Sequence, residues 1–224
     1  MPVTDLLERN HKLYGEETAL IELNPMVKDT KKTTWKEYDL VQPTSQRPYR
    51  REITWSVFDE KANRVANMLI ERGIKKGDRV AILMFNCLEW LPIYFGILKT
   101  GAIAVPFNFR FDSKEIRYCA DLAEVHVLFF GQEFIGRIES IQEELSRGRL
   151  LIYVGDGCPT FAESYRELVA DCSSQPPLVL LEEEDDAAIY FSSGTTGFPI
   201  AILANHASLL QAAQMAQLHH LTDW

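Results

Sequence analysis

From Thr54 onward the chain alternates between two hydrophobic periods. Phe58, Ala62, Val65 and Leu69 recur at the spacing of one helix face, with Thr54 placed to cap the first turn and Gly73 to end the helix. Arg79 to Phe85 is a short, nearly continuous apolar run entered through Gly77-Asp78, the pattern of a strand buried on both faces. Asn86 and Glu89 are spaced as a capping box for a helix reaching Lys99, in which Pro92 either removes one hydrogen bond or moves the start. The rhythm then repeats. Ile103 to Phe107 reads as a strand, Asp112 to Leu122 as a helix with Asp112 as cap and Glu115 as box partner, and Val125 to Phe130 as a strand. Ile135 to Arg147 reads as a helix, Leu150 to Val154 as a strand and Phe161 to Ala170 as a helix. Strands separated by helices predict an α/β fold, a largely parallel sheet flanked by helices, whose ligands bind at the carboxyl ends of strands.

The flanks differ. Residues 1–52 carry Pro2, Pro25, Pro43 and Pro48 and predict a short first helix followed by irregular surface chain. Their basic residues, Lys28, Lys31, Lys32, Lys36, Arg47, Arg50 and Arg51, are interleaved with Asp29, Glu37, Asp39 and Glu52, the pattern of a solvated loop. The α/β block spans 53–172, a Pro- and acid-rich linker follows over 173–186, and 187–224 forms an incomplete second part. Between Ala187 and Thr222 there is no Asp, Glu, Lys or Arg, although a strand (Ile200 to Ala204) and a helix (Ala207 to Leu218) are expected there. Water-facing elements normally carry such residues, so this segment is expected to be covered by other protein. With Trp224 following so closely, the chain reads as the front portion of something larger, or as one that needs a partner.

Composition narrows the class. At 224 residues, with 46% hydrophobic and 25% charged positions, the chain can bury a sizeable core, which excludes a disordered or low-complexity protein. A net charge of -9 argues against a nucleic-acid binder, which holds phosphates with clustered Lys and Arg. Cys87, Cys119, Cys158 and Cys172 show no metal or disulfide spacing and read as reduced thiols. Asp5, Glu8 and Arg9 break any signal peptide, and Asn86, Glu89 and Pro92 interrupt the most apolar stretch, so a soluble cytoplasmic protein without a transmembrane segment is expected.

The candidate chemistry lies in Ala188-Ile189-Tyr190-Phe191-Ser192-Ser193-Gly194-Thr195-Thr196-Gly197-Phe198-Pro199, where an apolar strand runs into hydroxyls and glycines. Glycines let the main chain approach an anion, and consecutive N–H groups and hydroxyls converge on phosphate oxygens. On composition alone a surface turn is the more economical reading. A Walker loop is excluded because Phe198 and Pro199 follow Gly197, and Gly155-Asp156-Gly157 is a turn rather than a dinucleotide fingerprint.

The run from Tyr190 to Pro199 resembles the Y-T-S-G-T-T-G-x-P-K-G signature of the adenylate-forming (AMP-binding) enzymes, which include acyl-CoA synthetases. His206-Ala207-Ser208-Leu209 stands where that family has H-x-x-L. Ile53 to Phe58 with Gly77 to Ile82, and Leu98 to Pro106, are similar to its two earlier elements, so the resemblance covers about 53 to 209. It implies the front part of the large N-terminal domain of an ATP-dependent acyl-CoA ligase. Such an enzyme joins a fatty or other organic carboxylic acid to AMP and passes the acyl group to coenzyme A, using ATP and Mg2+. It also implies that Ser193, Gly194, Thr195, Thr196 and Gly197 contact the β- and γ-phosphates, with Ser192 where the family often has Thr. No catalytic or metal-binding residue is carried over. Ile200 stands in place of the family's lysine, a loss of about 1.5–3 kcal/mol of charge-assisted bonding. The family's later elements cannot be placed before Trp224, which implies that this chain is inactive alone. The alternative is a truncated, non-catalytic relative acting as a weak nucleotide-binding or interaction module. Family members are often homodimers; these residues show neither that, nor acyl-chain length, nor the acceptor thiol.

His206 is read as a structural histidine, His219-His220 lack a metal partner at the right spacing, and Trp90, Tyr94 and Phe95 read as core rather than as an acyl tunnel.

Overall fold

The structure, a computed structural model, describes residues 1–24, 33–35, 38–40, 49–145, 148–192 and 198–220. The first helix, α1 (Thr4–Tyr14), packs Leu7 against Phe58 and Ala62 of α2 (Trp55–Glu71). Between them lie strands where the sequence predicts irregular chain: β1 (Thr18–Asn24), β2 (Thr33–Trp35), β3 (Tyr38–Leu40) and β4 (Tyr49–Thr54). β1 and β4 pair antiparallel as a two-stranded ribbon, and β2 pairs with β3. The ribbon escaped the hydrophobic pattern because neither face is deeply buried: Ile21 and Leu23 remain 47% and 61% exposed. The basic run mostly falls outside the described residues; Arg50 and Arg51 pair with Glu52 and Glu22.

The α/β block follows the predicted rhythm. Thr54 caps α2 by accepting from the Val57 N–H at 3.3 Å, and Gly73, at φ 84°, closes it. Then come β5 (Arg79–Leu83), α3 (Trp90–Lys99), β6 (Ile103–Pro106), α4 (Ser113–Leu122) and β7 (Val125–Gly131). The chain continues with α5 (Ile135–Glu139), α6 (Gln142–Leu145), β8 (Leu150–Val154), β9 (Glu163–Ser164) and α7 (Tyr165–Ala170). It ends with β10 (Asp186–Ser192), β11 (Ile200–Asn205) and α8 (His206–His220).

The expectation fails locally in three places. The Asn86–Glu89 capping box does not form: α3 starts at Trp90, with no side-chain cap from Glu89. That start places Pro92 in the first turn, where a helix has spare N–H groups and a missing one costs nothing. The helix predicted over 135–147 breaks between α5 and α6. There the Arg137 carbonyl accepts from the hydroxyls of Ser113 (3.1 Å) and Ser140 (2.8 Å), and the Ile141 N–H turns to Ile138 O. The helix predicted over 161–170 begins only at Tyr165, because Glu163 and Ser164 pair with β8 and Ser164 then caps α7.

The main sheet has seven strands in the order β11-β10-β6-β5-β7-β8-β9. All its pairs are parallel except β10–β11. β5 and β7 are buried on both faces, and alternate residues feed two cores. Val80 and Ile82 face the α2–α3 side, while Ala81 and Leu83 face α4 and α5. After the linker the chain rejoins this sheet, Ala188 of β10 standing opposite Ala104 of β6. The linker itself is strapped to α2: the Asn67 amide donates to the carbonyls of Ser173 (2.7 Å) and Gln175 (2.9 Å).

Candidate nucleotide-binding loop

β10 runs parallel to β6, so its end at Ser192 opens onto the same edge of the sheet as the carboxyl ends of the other parallel strands. Ala187 and Ala188 are fully buried, and the strand emerges toward an exposed Ser192. β11 returns antiparallel with Ile200 directly opposite Ser192. That pair closes the base of the loop that carries the hydroxyl-and-glycine run. Ser193, Gly194, Thr195, Thr196 and Gly197 lie outside the described residues; Ser192 and the loop's framework are described.

Aromatic side chains hold both ends of the loop. Successive strand residues point to opposite faces, so Tyr190 and Phe191 grip β10 from two sides. The Tyr190 hydroxyl meets that of Tyr94 on α3 at 2.9 Å. Phe191 stands edge-on to Phe107 at 5.8 Å and to Phe111 at 6.2 Å. Burial, then the neighbouring Tyr190, push the Tyr94 hydroxyl far above the ordinary phenol range, so it stays a neutral hydrogen-bonding group. Beyond the loop, Phe198 packs on Tyr118 of α4 at a ring separation of 4.7 Å, and Pro199 is buried.

The return strand leads into α8, which Asn205 rather than His206 caps: its Oδ1 accepts the Ser208 N–H at 2.9 Å. His206 is 1% exposed, donates its backbone N–H to Asp185 O and accepts the Val3 N–H at Nδ1. Desolvation holds its pKa below the usual histidine value, against the opposing pull of Asp185 and Asp5. This is a structural histidine that pins the start of α8 to the N-terminus.

The comparisons with known proteins decide the family. The AMP-binding enzyme family model matches residues 8–223. The chain belongs to the AMP-binding enzyme family. Among the relatives of this AMP-binding chain is a long-chain-fatty-acid–CoA ligase of Mycobacterium tuberculosis, 32% identical over 162 residues, which covers 72% of this chain and 31% of the relative. A 3-hydroxybenzoate–CoA/4-hydroxybenzoate–CoA ligase of Thauera aromatica is 30% identical over 166 residues, 74% of this chain and 32% of its own length. The chain therefore spans under a third of the length of these curated relatives. Its fold matches the crystal structure of the anthranilate–CoA ligase AuaEII in complex with anthranoyl-AMP, with a TM-score of 0.78 at 28% identity, over 96% of this chain and 36% of that one.

With the AMP-binding fold in hand, the earlier family elements acquire physical roles. In Leu98-Lys99-Thr100-Gly101-Ala102, Gly101 sits at φ 75°, and a Cβ there would come within 2.9 Å of Lys76 Cγ. Lys99 is 4% exposed, with Nζ 2.6 Å from both Asp59 Oδ1 and Asn63 Oδ1 on α2. Asn63 in turn donates to Asp59 Oδ2 at 2.8 Å and to Ser174 O at 2.9 Å, so one buried polar cluster ties α3, α2 and the linker together. The sequence reading missed this cluster and the Tyr94–Tyr190 pair. A lysine closing the apolar helix Ile93 to Leu98, and Asp59 and Asn63 four apart on the buried face of α2, were the available signals for the cluster. Nothing in the sequence marks Tyr190 as the partner of Tyr94. The four cysteines are free thiols. Among the described residues no three His, Cys, Asp or Glu side chains converge to hold a metal ion, and no helix is long and apolar enough to cross a membrane.

Proposed function

We propose that this chain supplies the N-terminal, phosphate-gripping part of an ATP-dependent acid–thiol ligase that activates an organic carboxylic acid as its acyl-adenylate and passes it to coenzyme A. The observation that carries the reading is the placement of the signature loop. It leaves the carboxyl end of a parallel strand whose last residues are held on both faces, the location where α/β sheets bind ligands. On this reading Ser192 to Gly197 present hydroxyl and main-chain donors to the β- and γ-phosphates, where negative charge builds as pyrophosphate departs. Mg2+, which the family resemblance implies, would neutralise part of that charge. The described residues offer it no cage of their own. Residues 53–172 and the strands β10 and β11 then share one α/β sheet, with the acidic linker 173–186 leading from the one to the other, in a cytoplasmic enzyme that works as a homodimer.

Ile200 favours a second reading, a non-catalytic relative that binds nucleotide weakly. It stands at the base of the loop, half exposed at 53%, where the family's lysine would extend an ammonium toward the phosphates. Titration calorimetry with Mg-ATP separates the cases. The Ile200→Lys variant is expected to bind about tenfold or more tightly than the parent chain, the worth of one charge-assisted bond. Heat of binding in neither protein would remove the nucleotide site.

A further inference from the structure

On the reading of the loop after β10 as a phosphate grip, we propose that Arg137 of α5 is its positioning residue: a buried cation that sets the turn after β6, which in turn holds the strand end from which the loop departs. Arg137 is 9% exposed. Burying a charge costs free energy, and an apolar side chain of similar length would fill the same space, so the guanidinium is to be explained by what it holds. Its Cζ lies 4.4 Å from the centre of the Phe134 ring, which orients the group. One terminal nitrogen then donates to two carbonyls of the chain after β6, Phe109 O at 2.8 Å and Phe111 O at 2.7 Å. A lysine could not give the same hold, because an ammonium swings on a flexible stem where the planar guanidinium presents its donors in fixed directions.

The chain that Arg137 holds is a tight turn. The Phe111 N–H donates to Asn108 O at 2.9 Å and the Arg110 N–H to Asn108 Oδ1 at 3.0 Å. Residues 108–110 are exposed, so burial does not fix the middle of the turn, whereas Phe107 and Phe111 at its two ends are buried. Those two rings are the ones that meet Phe191 edge-on. Phe191 immediately precedes Ser192, the first residue of the hydroxyl-and-glycine run. The contacts therefore pass from α5 through the turn after β6 to the end of β10. Tyr94 holds the opposite face of that strand through Tyr190, so losing Arg137 frees one face and leaves the other gripped. Binding groups need placing to within about 0.5 Å, which makes one loosened face enough to misalign a donor.

Titration calorimetry with Mg-ATP and amide NMR of the nucleotide-free 224-residue chain test the assignment together. Arg137→Met is expected to weaken Mg-ATP about tenfold, the worth of one misplaced donor to a charged phosphate, and to shift the amide resonances of Phe191 and Ser192. Arg137→Lys should recover part of both. Phe111→Leu should reproduce the effect, and combining it with Arg137→Met should add little because the two act through the same contacts, while Tyr190→Phe, on the other face, should add its full effect. Ser164→Ala removes the cap of α7 at the far edge of the sheet and controls for lost stability: a lower thermal midpoint with affinity and both resonances unchanged. If the parent chain binds no Mg-ATP the nucleotide reading fails, and the Phe191 and Ser192 resonances still decide for or against Arg137. Resonances unmoved in the Met and Lys variants, or losses that Ser164→Ala matches, would overturn the assignment; should Arg137→Met not fold, Arg137→Lys and Phe111→Leu decide it by the same two readouts.

Discussion

Lys99 shows how a residue can belong to a signature and still do its work in the core. Its ammonium lies between Asp59 and Asn63 with the ion pair 4% and 7% exposed, so neither charge has water to fall back on. Removing one partner of such a pair leaves the other buried and uncompensated, which costs about 3–5 kcal/mol. Lys99→Ala is accordingly expected to lose stability on that scale in urea unfolding, and Lys99→Met with Asp59→Asn to recover part of it. Ile200 makes the opposite case. The sequence alone marks it as a departure, and the register adds that it faces Ser192 across the mouth of the loop.

At the scale of elements, what the pattern predicted well was local. Asp112 and Glu115 form both bonds of the capping box, each at 2.9 Å, because their spacing suffices to satisfy the first N–H groups of α4. Asp112→Ala should therefore cost about 1 kcal/mol, read as a lower midpoint in chemical denaturation. Because α4 carries Tyr118, the seat of Phe198, the same change should loosen the far end of the candidate loop. Where the pattern failed, a tertiary partner intervened. Ser113, on α4, takes up the Arg137 carbonyl that a continuous helix would have used, and β8 draws Glu163 and Ser164 into the sheet ahead of α7. Asn86 and Glu89 have the spacing of a box, yet the chain between them is turned, not helical.

For the whole molecule, the uncharged stretch after Ala187 proves to be an edge. β11 is the last strand of the main sheet, and Ile200, Ile202 and Leu203 are each more than half exposed on a strand with no charge or proline. An unguarded apolar edge is a template for pairing with another chain. Sedimentation velocity is expected to show association that grows with protein concentration, and Ile202→Lys to reduce it; a monomer at all concentrations would contradict this.

The α/β class, most element positions, two helix caps and the family itself were legible in the sequence, since periodicity, capping and the signature motif are all encoded within a few neighbouring residues. Strand order, the β1–β4 ribbon, the buried Lys99 cluster and the Tyr94–Tyr190 clasp belong to the tertiary structure alone. Each joins residues far apart along the chain. Such pairings are chosen by how the helices and strands pack and by which polar groups lose water together, and no local pattern records that choice.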